Sequence, residues 1–170
     1  GIKKNKEAYF HLSGAMQEAR HTHNDLAGYF AMGGLAFHHC LEGRLKEAAD
    51  WVRQVARKGE ASGLVHQYAS PWVLEILFEL HRKEMLQVET PFNYNQEFER
   101  IMREPNIHLR GVALRLSAVD AMDKKEPVSA VEPLLAKSER YLQKSGDPVQ
   151  LGKTRIEMAR LKLRAGDRDN

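Results

Sequence analysis

Met32-Gly33-Gly34-Leu35-Ala36-Phe37-His38-His39-Cys40-Leu41-Glu42-Gly43-Arg44-Leu45-Lys46-Glu47-Ala48-Ala49-Asp50-Trp51-Val52 is the stretch that decides the fold. Met32, Leu35, Ala36 and His39 follow one another at spacings that mark one face of an α-helix. Gly43 breaks that pattern, and Ala48, Ala49, Val52, Val55 and Ala56 resume it beyond the break. The same stripe returns as Val73, Ile76, Leu77 and Leu80, as Leu114, Ser117, Ala118 and Ala121, and as Arg155, Met158, Ala159 and Lys162. The four helical stretches end at Gly43, Glu84, Lys125 and Gly166, a period of 41 residues (84 − 43 = 125 − 84 = 166 − 125 = 41). A fixed period of about 20–50 residues is the mark of stacked units, none of which buries its apolar face alone. The expected fold is all-α, with about eight helices in antiparallel pairs. Arrays of this kind usually bind and rarely catalyse.

Composition sets the limits. At 170 residues the chain is one domain-sized piece, read as a single array over 1–170. Apolar residues make up 42% and charged residues 29%, the balance of a globular chain rather than a disordered one. The single cysteine, Cys40, allows no intrachain disulfide, which fits a reducing, cytoplasmic setting. No apolar run approaches the roughly 18 residues of a membrane span, so no membrane partner is expected. A net charge of +3 is too mild to imply direct contact with nucleic acid. The chain opens on Gly1-Ile2-Lys3-Lys4 into a helical pattern and closes on a Gly166-Asp167 turn with no helix after it. It reads as a segment of a longer array.

Helices are expected over about 6–22, 26–42, 45–60, 71–83, 107–124, 127–144 and 148–165. Ala8, Leu12, Ala15 and Ala19 form the apolar face of the first. Ser70-Pro71 and Asp147-Pro148 each pair an N-cap oxygen with a proline whose missing N–H costs nothing at the first helical position. Pro133 predicts a kink or a later helix start. The interval 84–106 departs from the pattern. It offers Thr90-Pro91-Phe92-Asn93-Tyr94 and a short helix over 96–103, with Phe92, Tyr94, Phe98 and Ile101 as core plugs.

Met32, Leu35-Ala36, His39, Gly43, Ala48 and Val52 stand in the order of the tetratricopeptide (TPR) signature, and Met158-Ala159 with Gly166-Asp167 match half of another unit. The chain resembles a TPR-like region. The resemblance implies antiparallel helix-hairpin repeats stacked in a right-handed superhelix. The 41-residue period is longer than the roughly 34 residues of the TPR unit and closer to HEAT repeats, but the Leu-Ala…Gly…Ala order is that of the TPR. Ser70-Pro71-Trp72-Val73-Leu74-Glu75-Ile76-Leu77-Phe78 and Pro105-Asn106-Ile107-His108-Leu109-Arg110-Gly111-Val112-Ala113-Leu114-Arg115 also resemble the TPR region of bacterial sigma-54-interacting transcriptional regulators. That resemblance implies a regulatory segment that elsewhere accompanies an AAA+ ATPase and a helix-turn-helix. This sequence has neither a phosphate-binding Gly-x-x-x-x-Gly-Lys-Ser/Thr loop nor an arginine-rich recognition helix.

No catalytic residue, metal site or cofactor is expected. His38-His39-Cys40 point about 100° apart around a helix and cannot converge on one ion. Cys40 lacks an activating neighbourhood, and Glu97 with Glu99 reads as surface charge. The resemblance implies that the first helix of each pair lines a concave surface. Phe30, Gly33 and Phe37, then Arg115 and Val119, then Lys153, Arg160 and Arg164 would face a protein or peptide partner there. Charge-assisted hydrogen bonds from such cations are worth about 1.5–3 kcal/mol each. The competing reading is a solvated face neutralised by Glu157, Glu139 and Asp147. Chaperone C-termini are not expected as partners, because the Lys and Asn set of a carboxylate clamp is missing. Trp72, Phe78, Phe92 and Tyr94 form the richest aromatic patch, read as core or as a small-molecule effector pocket. Self-association through apolar array ends is a third option.

Overall fold

The computed structural model describes residues 2–62, 71–85 and 94–166. Among the described residues the chain is all-α, without strands. The helices are α1 (Ile2–His21), α2 (Asp25–Leu41), α3 (Leu45–Ser62), α4 (Pro71–Arg82), α5 (Tyr94–Arg103), α6 (Ile107–Asp123), α7 (Val128–Ser145) and α8 (Pro148–Gly166). The chain packs as two compact units, Gly1–Glu97 and Phe98–Asn170.

In the first unit α2 is central, packed against α1, α3 and α4. A helix with neighbours on several sides must be apolar nearly all round. Tyr29, Ala31, Met32, Leu35, Ala36, His38 and His39 are accordingly buried. Met16, Tyr29, Ala31, Met32 and Val55 form one core cluster, with Trp51 against it. Ala48, Ala49, Val52, Val55 and Ala56 of α3 are all buried, as their spacing predicts. On α1 the buried face is Met16 and Ala19 with Leu12 half-buried, whereas Ala8 and Ala15 are exposed. Alanine packs in either setting, and the larger Leu12 and Met16 fix the rotation of the helix. On α4, Trp72 lies so close to Gly33 that a Cβ there would sit 2.4 Å from the indole.

In the second unit α6 is central and packs against α7 and α8. Ala118, Ala121, Val131, Leu135 and Leu161 form the core, with Met122, Val128, Leu134 and Met158 against it. A buried polar chain joins the three helices. Ser138 Oγ donates to the Gly111 carbonyl at 2.7 Å and lies within hydrogen-bond distance of Thr154 Oγ1, at 3.1 Å. Arg115 donates to Gln150 Oε1 at 2.7 Å. Each bond satisfies a group whose unpaired burial would cost about 1–3 kcal/mol. Pro133 lies inside α7 without ending it, although it supplies no N–H to the Ser129 carbonyl. The predicted late start is not observed.

The turns repeat one design. Gly43, Glu84 and Lys125 all adopt positive φ, at 73°, 54° and 60°. In each, the amide of the left-handed residue bonds three residues back and the next amide bonds five back. The pairs are Gly43→Cys40 with Arg44→His39, Glu84→His81 with Met85→Leu80, and Lys125→Met122 with Glu126→Ala121. This is the Schellman closure, which satisfies carbonyls orphaned at a helix end. His23 closes α1 in the same way, with φ 52°. The sequence stripes are buried at Met32, Leu35, Ala36 and His39, at Val73, Ile76, Leu77 and Leu80, and at Leu114, Ala118 and Ala121. The last stripe is not. Arg155, Ala159 and Lys162 are exposed, and α8 buries Gln150, Thr154 and Leu161 instead.

Glycine alone takes the left-handed conformation without a Cβ penalty, which for other residues is about 1–2 kcal/mol. Lys125→Gly is therefore expected to stabilise the chain by about 0.5–1 kcal/mol, net of the extra freedom glycine gives the unfolded state. A urea midpoint that falls on this substitution would refute the assignment of strain to Lys125.

Asp147 starts α8. Its Oδ1 accepts from the Val149 and Gln150 amides, each at 2.9 Å, and its Oδ2 lies 2.8 Å from His108 Nε2. The Gln150 amide foremost, and then His108, hold the Asp147 carboxyl below its ordinary pKa. A carboxylate with a depressed folded-state pKa stabilises the fold above its unfolded pKa and loses that contribution as pH falls through the folded value. Asp147→Ala is expected to cost about 1–2 kcal/mol at neutral pH. The gap to the parent chain should close as pH drops below about 4. Unfolding curves across that range check it, and a gap that persists in acid contradicts it.

Candidate functional site

One open concave feature of the first unit lies where α1 meets the end of α2. Lys6 and Tyr9 on α1, His38 and Glu42 at the end of α2, and Arg44 in the following turn line an open hollow of ≈ 550 Å³. Local sequence explains the grouping. The Schellman turn at Gly43 swings Arg44 back beside Glu42, with which it forms an ion pair. Helical spacing stacks His38 over Glu42, with Nε2 3.5 Å from the carboxylate. The Tyr9 ring caps both histidines, 5.4 Å from His38 and 6.0 Å from His39 between centroids.

His39 is buried and its Nδ1 has no hydrogen-bond partner. Burial foremost, then the charge on Arg44 and the neighbouring His38, push its pKa down. The ring is thus neutral at physiological pH and serves as a flat packing surface. Among the described residues no three His, Cys, Asp or Glu side chains are grouped to hold a metal ion. Burial foremost, with Glu79 and Glu75 nearby, raises the Cys40 pKa. The thiolate is disfavoured, so this thiol is a poor nucleophile.

The aromatic patch is packed together. Phe37 and Trp72, assigned from sequence to two different sites, meet with centroids 6.2 Å apart at the α2–α4 contact. Phe78 and Tyr94 are both buried, with centroids 5.2 Å apart. His81 stacks on Tyr94 at 5.3 Å, and the Arg82 guanidinium lies over Phe78 at 5.5 Å. Phe92 lies outside the described residues. Ile101 is buried as expected, but so is Glu97, at 1% exposure, which corrects its reading as surface charge. The short helix begins at Tyr94, two residues before the predicted start.

The residues assigned to a concave face have mixed fates. Phe30 is exposed, whereas Gly33 is buried beneath Trp72. Arg115 is only 6% exposed and is spent on Gln150, because α6 is flanked by two helices. Val119 and Lys153 are half-buried. Arg160 is exposed and pairs with Glu157 at 2.9 Å. Arg164 donates to the Met122 and Glu126 carbonyls at 3.2 and 2.9 Å. It thereby caps the C-terminal end of α6, where a cation also opposes the helix dipole. Arg115 and Arg164 are therefore structural cations rather than open grips.

No helix among the described residues is long and apolar enough to cross a membrane. Compared with family models, with curated proteins and with solved structures, the chain matches none.

Proposed function

We propose that this chain is a TPR-like helical-hairpin module that binds a segment of a partner protein and performs no catalysis. One observation carries the reading: the same left-handed Schellman turn recurs at Gly43, Glu84 and Lys125, 41 residues apart (84 − 43 = 125 − 84). Helices α2 and α6 then lie 82 residues apart at both ends (107 − 25 = 123 − 41), two periods. Such recurrence fits duplicated hairpins, and duplicated hairpins serve as binding surfaces. In its finer form the reading makes the array a superhelix within a cytoplasmic bacterial sigma-54-interacting transcriptional regulator. Its support is the likeness of Ser70–Phe78 and Pro105–Arg115 described above. An AAA+ module in the reading frame that encodes the chain is the direct test of that form.

The hollow between α1 and α2 is the surface best suited to the task. Lys6 and Arg44 supply cations, Glu42 a carboxylate and Tyr9 a half-open ring. That set suits an acidic, extended peptide segment. Losing one charge-assisted hydrogen bond weakens binding by about tenfold or more. Lys6→Glu combined with Arg44→Gln is therefore expected to weaken capture of acidic peptides from a synthetic array by at least about tenfold. The melting temperature should hold, since exposed ion pairs contribute only about 0–1 kcal/mol. Unchanged capture by the double variant removes the hollow from the proposal. The small-molecule alternative has less support, because Trp72, Phe78 and Tyr94 fill their space with one another, with Phe37 and with His81.

A further inference from the structure

We propose that the outer face of α8 docks one helix of a partner protein, apolar at its a and d positions and acidic along both flanks. Val149, Gly152, Ile156, Ala159, Leu163 and Gly166 follow at spacings of 3, 4, 3, 4 and 3. That is the a/d seam of a coiled coil. Its three large members are 65%, 56% and 71% exposed. At 100° per residue they fall within about 40° of one another. Thr154 and Leu161, on the opposite side of α8, are the residues buried in the unit core. A surface helix needs one apolar stripe to fold onto its domain, and α8 carries two. Between the large residues stand Gly152 and Ala159. A Cβ built on Gly152 or Gly166 meets nothing within 4 Å. Among the described residues the seam is open at Val149, Ile156, Ala159, Leu163 and Gly166 and half-buried at Gly152, and its small residues permit close approach of another helix axis.

The flanks say what covers it. Lys153 and Arg160 line one side of the seam, Arg155 and Lys162 the other. Among the described residues of α8 neither flank position carries an acidic residue. Glu139 and Glu157 reach Arg155 and Arg160 at 2.9 Å, but neither belongs to the flanks themselves. Flank charges set partner choice in paired helices. A second copy of α8 would set lysine and arginine against lysine and arginine in either orientation, so self-pairing is disfavoured. A partner with glutamates on its flanks meets opposite charge on both sides. An anionic membrane would also attract these cations. A lipid-lying helix, however, presents a broad apolar face rich in large side chains, whereas this seam is narrow and alternates large residues with Gly and Ala.

The test uses the whole chain and a labelled synthetic heptad peptide with leucine and isoleucine at a and d and glutamate at e and g. A matched peptide carries lysine at e and g. In fluorescence anisotropy the glutamate peptide is expected to bind saturably and more weakly as salt rises. Ile156→Glu should reduce its affinity by at least about tenfold with the melting temperature unchanged. The lysine peptide should not bind. Equal binding of both peptides, or of neither, overturns the proposal. So does sedimentation with phosphatidylserine vesicles in the absence of binding to the glutamate peptide. A dimer in sedimentation velocity that Ile156→Glu dissolves overturns it in favour of a second copy. Lys6→Glu with Arg44→Gln lies in the other unit and should leave this binding intact, which separates failure here from failure of the hollow.

Discussion

Gly111→Val is expected to destabilise the chain by about 3 kcal/mol, the upper range for forcing extra methyl groups into a packed contact. A Cβ on Gly111 would lie 2.7 Å from Leu142 Cγ and 3.3 Å from Tyr141 Cβ. Leu142 has no exposed surface, so it has nowhere to retreat. The same close approach brings Ser138 Oγ within 2.7 Å of the Gly111 carbonyl and the Arg110 guanidinium to 5.2 Å from the Tyr141 ring. Separating α6 from α7 would loosen all of these contacts together. In an open helix, replacing glycine gains up to about 1 kcal/mol. Gly111→Ala balances that gain against the clash and should lose less than valine. Urea unfolding of both variants checks the order. A valine variant as stable as the parent would show that the two helices do not touch at Gly111.

Leu135→Ala should be at least as damaging, with a cost of about 2–5 kcal/mol. Leu135 is 1% exposed and packs with Ala118, Ala121, Val131 and Leu161. Two of those neighbours are alanines, whose short side chains cannot swing in to fill a cavity. Against a typical total stability of about 5–15 kcal/mol, either substitution removes a large share. Leu163→Ala is the control. It deletes the same atoms from an exposed seam and should change stability by no more than about 0.5 kcal/mol. If Leu163→Ala proves as costly as Leu135→Ala, α8 buries the face that carries Leu163. Equal and small effects for both would mean that unit 2 lacks a tight core.

Helix ends were legible because they depend on nearby atoms. Asp147, expected as an N-cap, accepts the amide three residues on at 2.9 Å, and Asn24 and Asn106 do the same at 3.0 and 3.1 Å. The period of 41 marked the left-handed residues 43, 84 and 125, even where Glu84 and Lys125 replace glycine, but its fourth point, Gly166, is the last residue of α8 and has no positive φ, and the left-handed His23 and Gly146 fall outside it. Faces were legible where branched apolar residues recur, as on α4 and, through Val52 and Val55, on α3, and less so on α1, where alanines at 8 and 15 mimic a stripe. The candidate site was less legible. His38 could be placed on α2 but not beneath Tyr9, which lies 29 residues earlier (38 − 9). Arg115 looked like an outward cation, because periodicity cannot reveal that α6 has helices on two sides. Arg164 found its partners 38 and 42 residues back. The α8 seam was hidden by the repeat itself, which assigned the inward stripe to Arg155 and Lys162.

Local chemistry in the chain fixed the all-α class, the positions of most helix ends and the recurrent turn, since each rests on caps, φ preferences and spacing within a few residues. Only packing decided which face of α1 and α8 turned inward, whether Arg115 and Glu97 met solvent, and which cations stayed open. Burial is a relation between segments far apart in sequence, and a helix carrying two apolar faces does not announce which of them its own fold will cover.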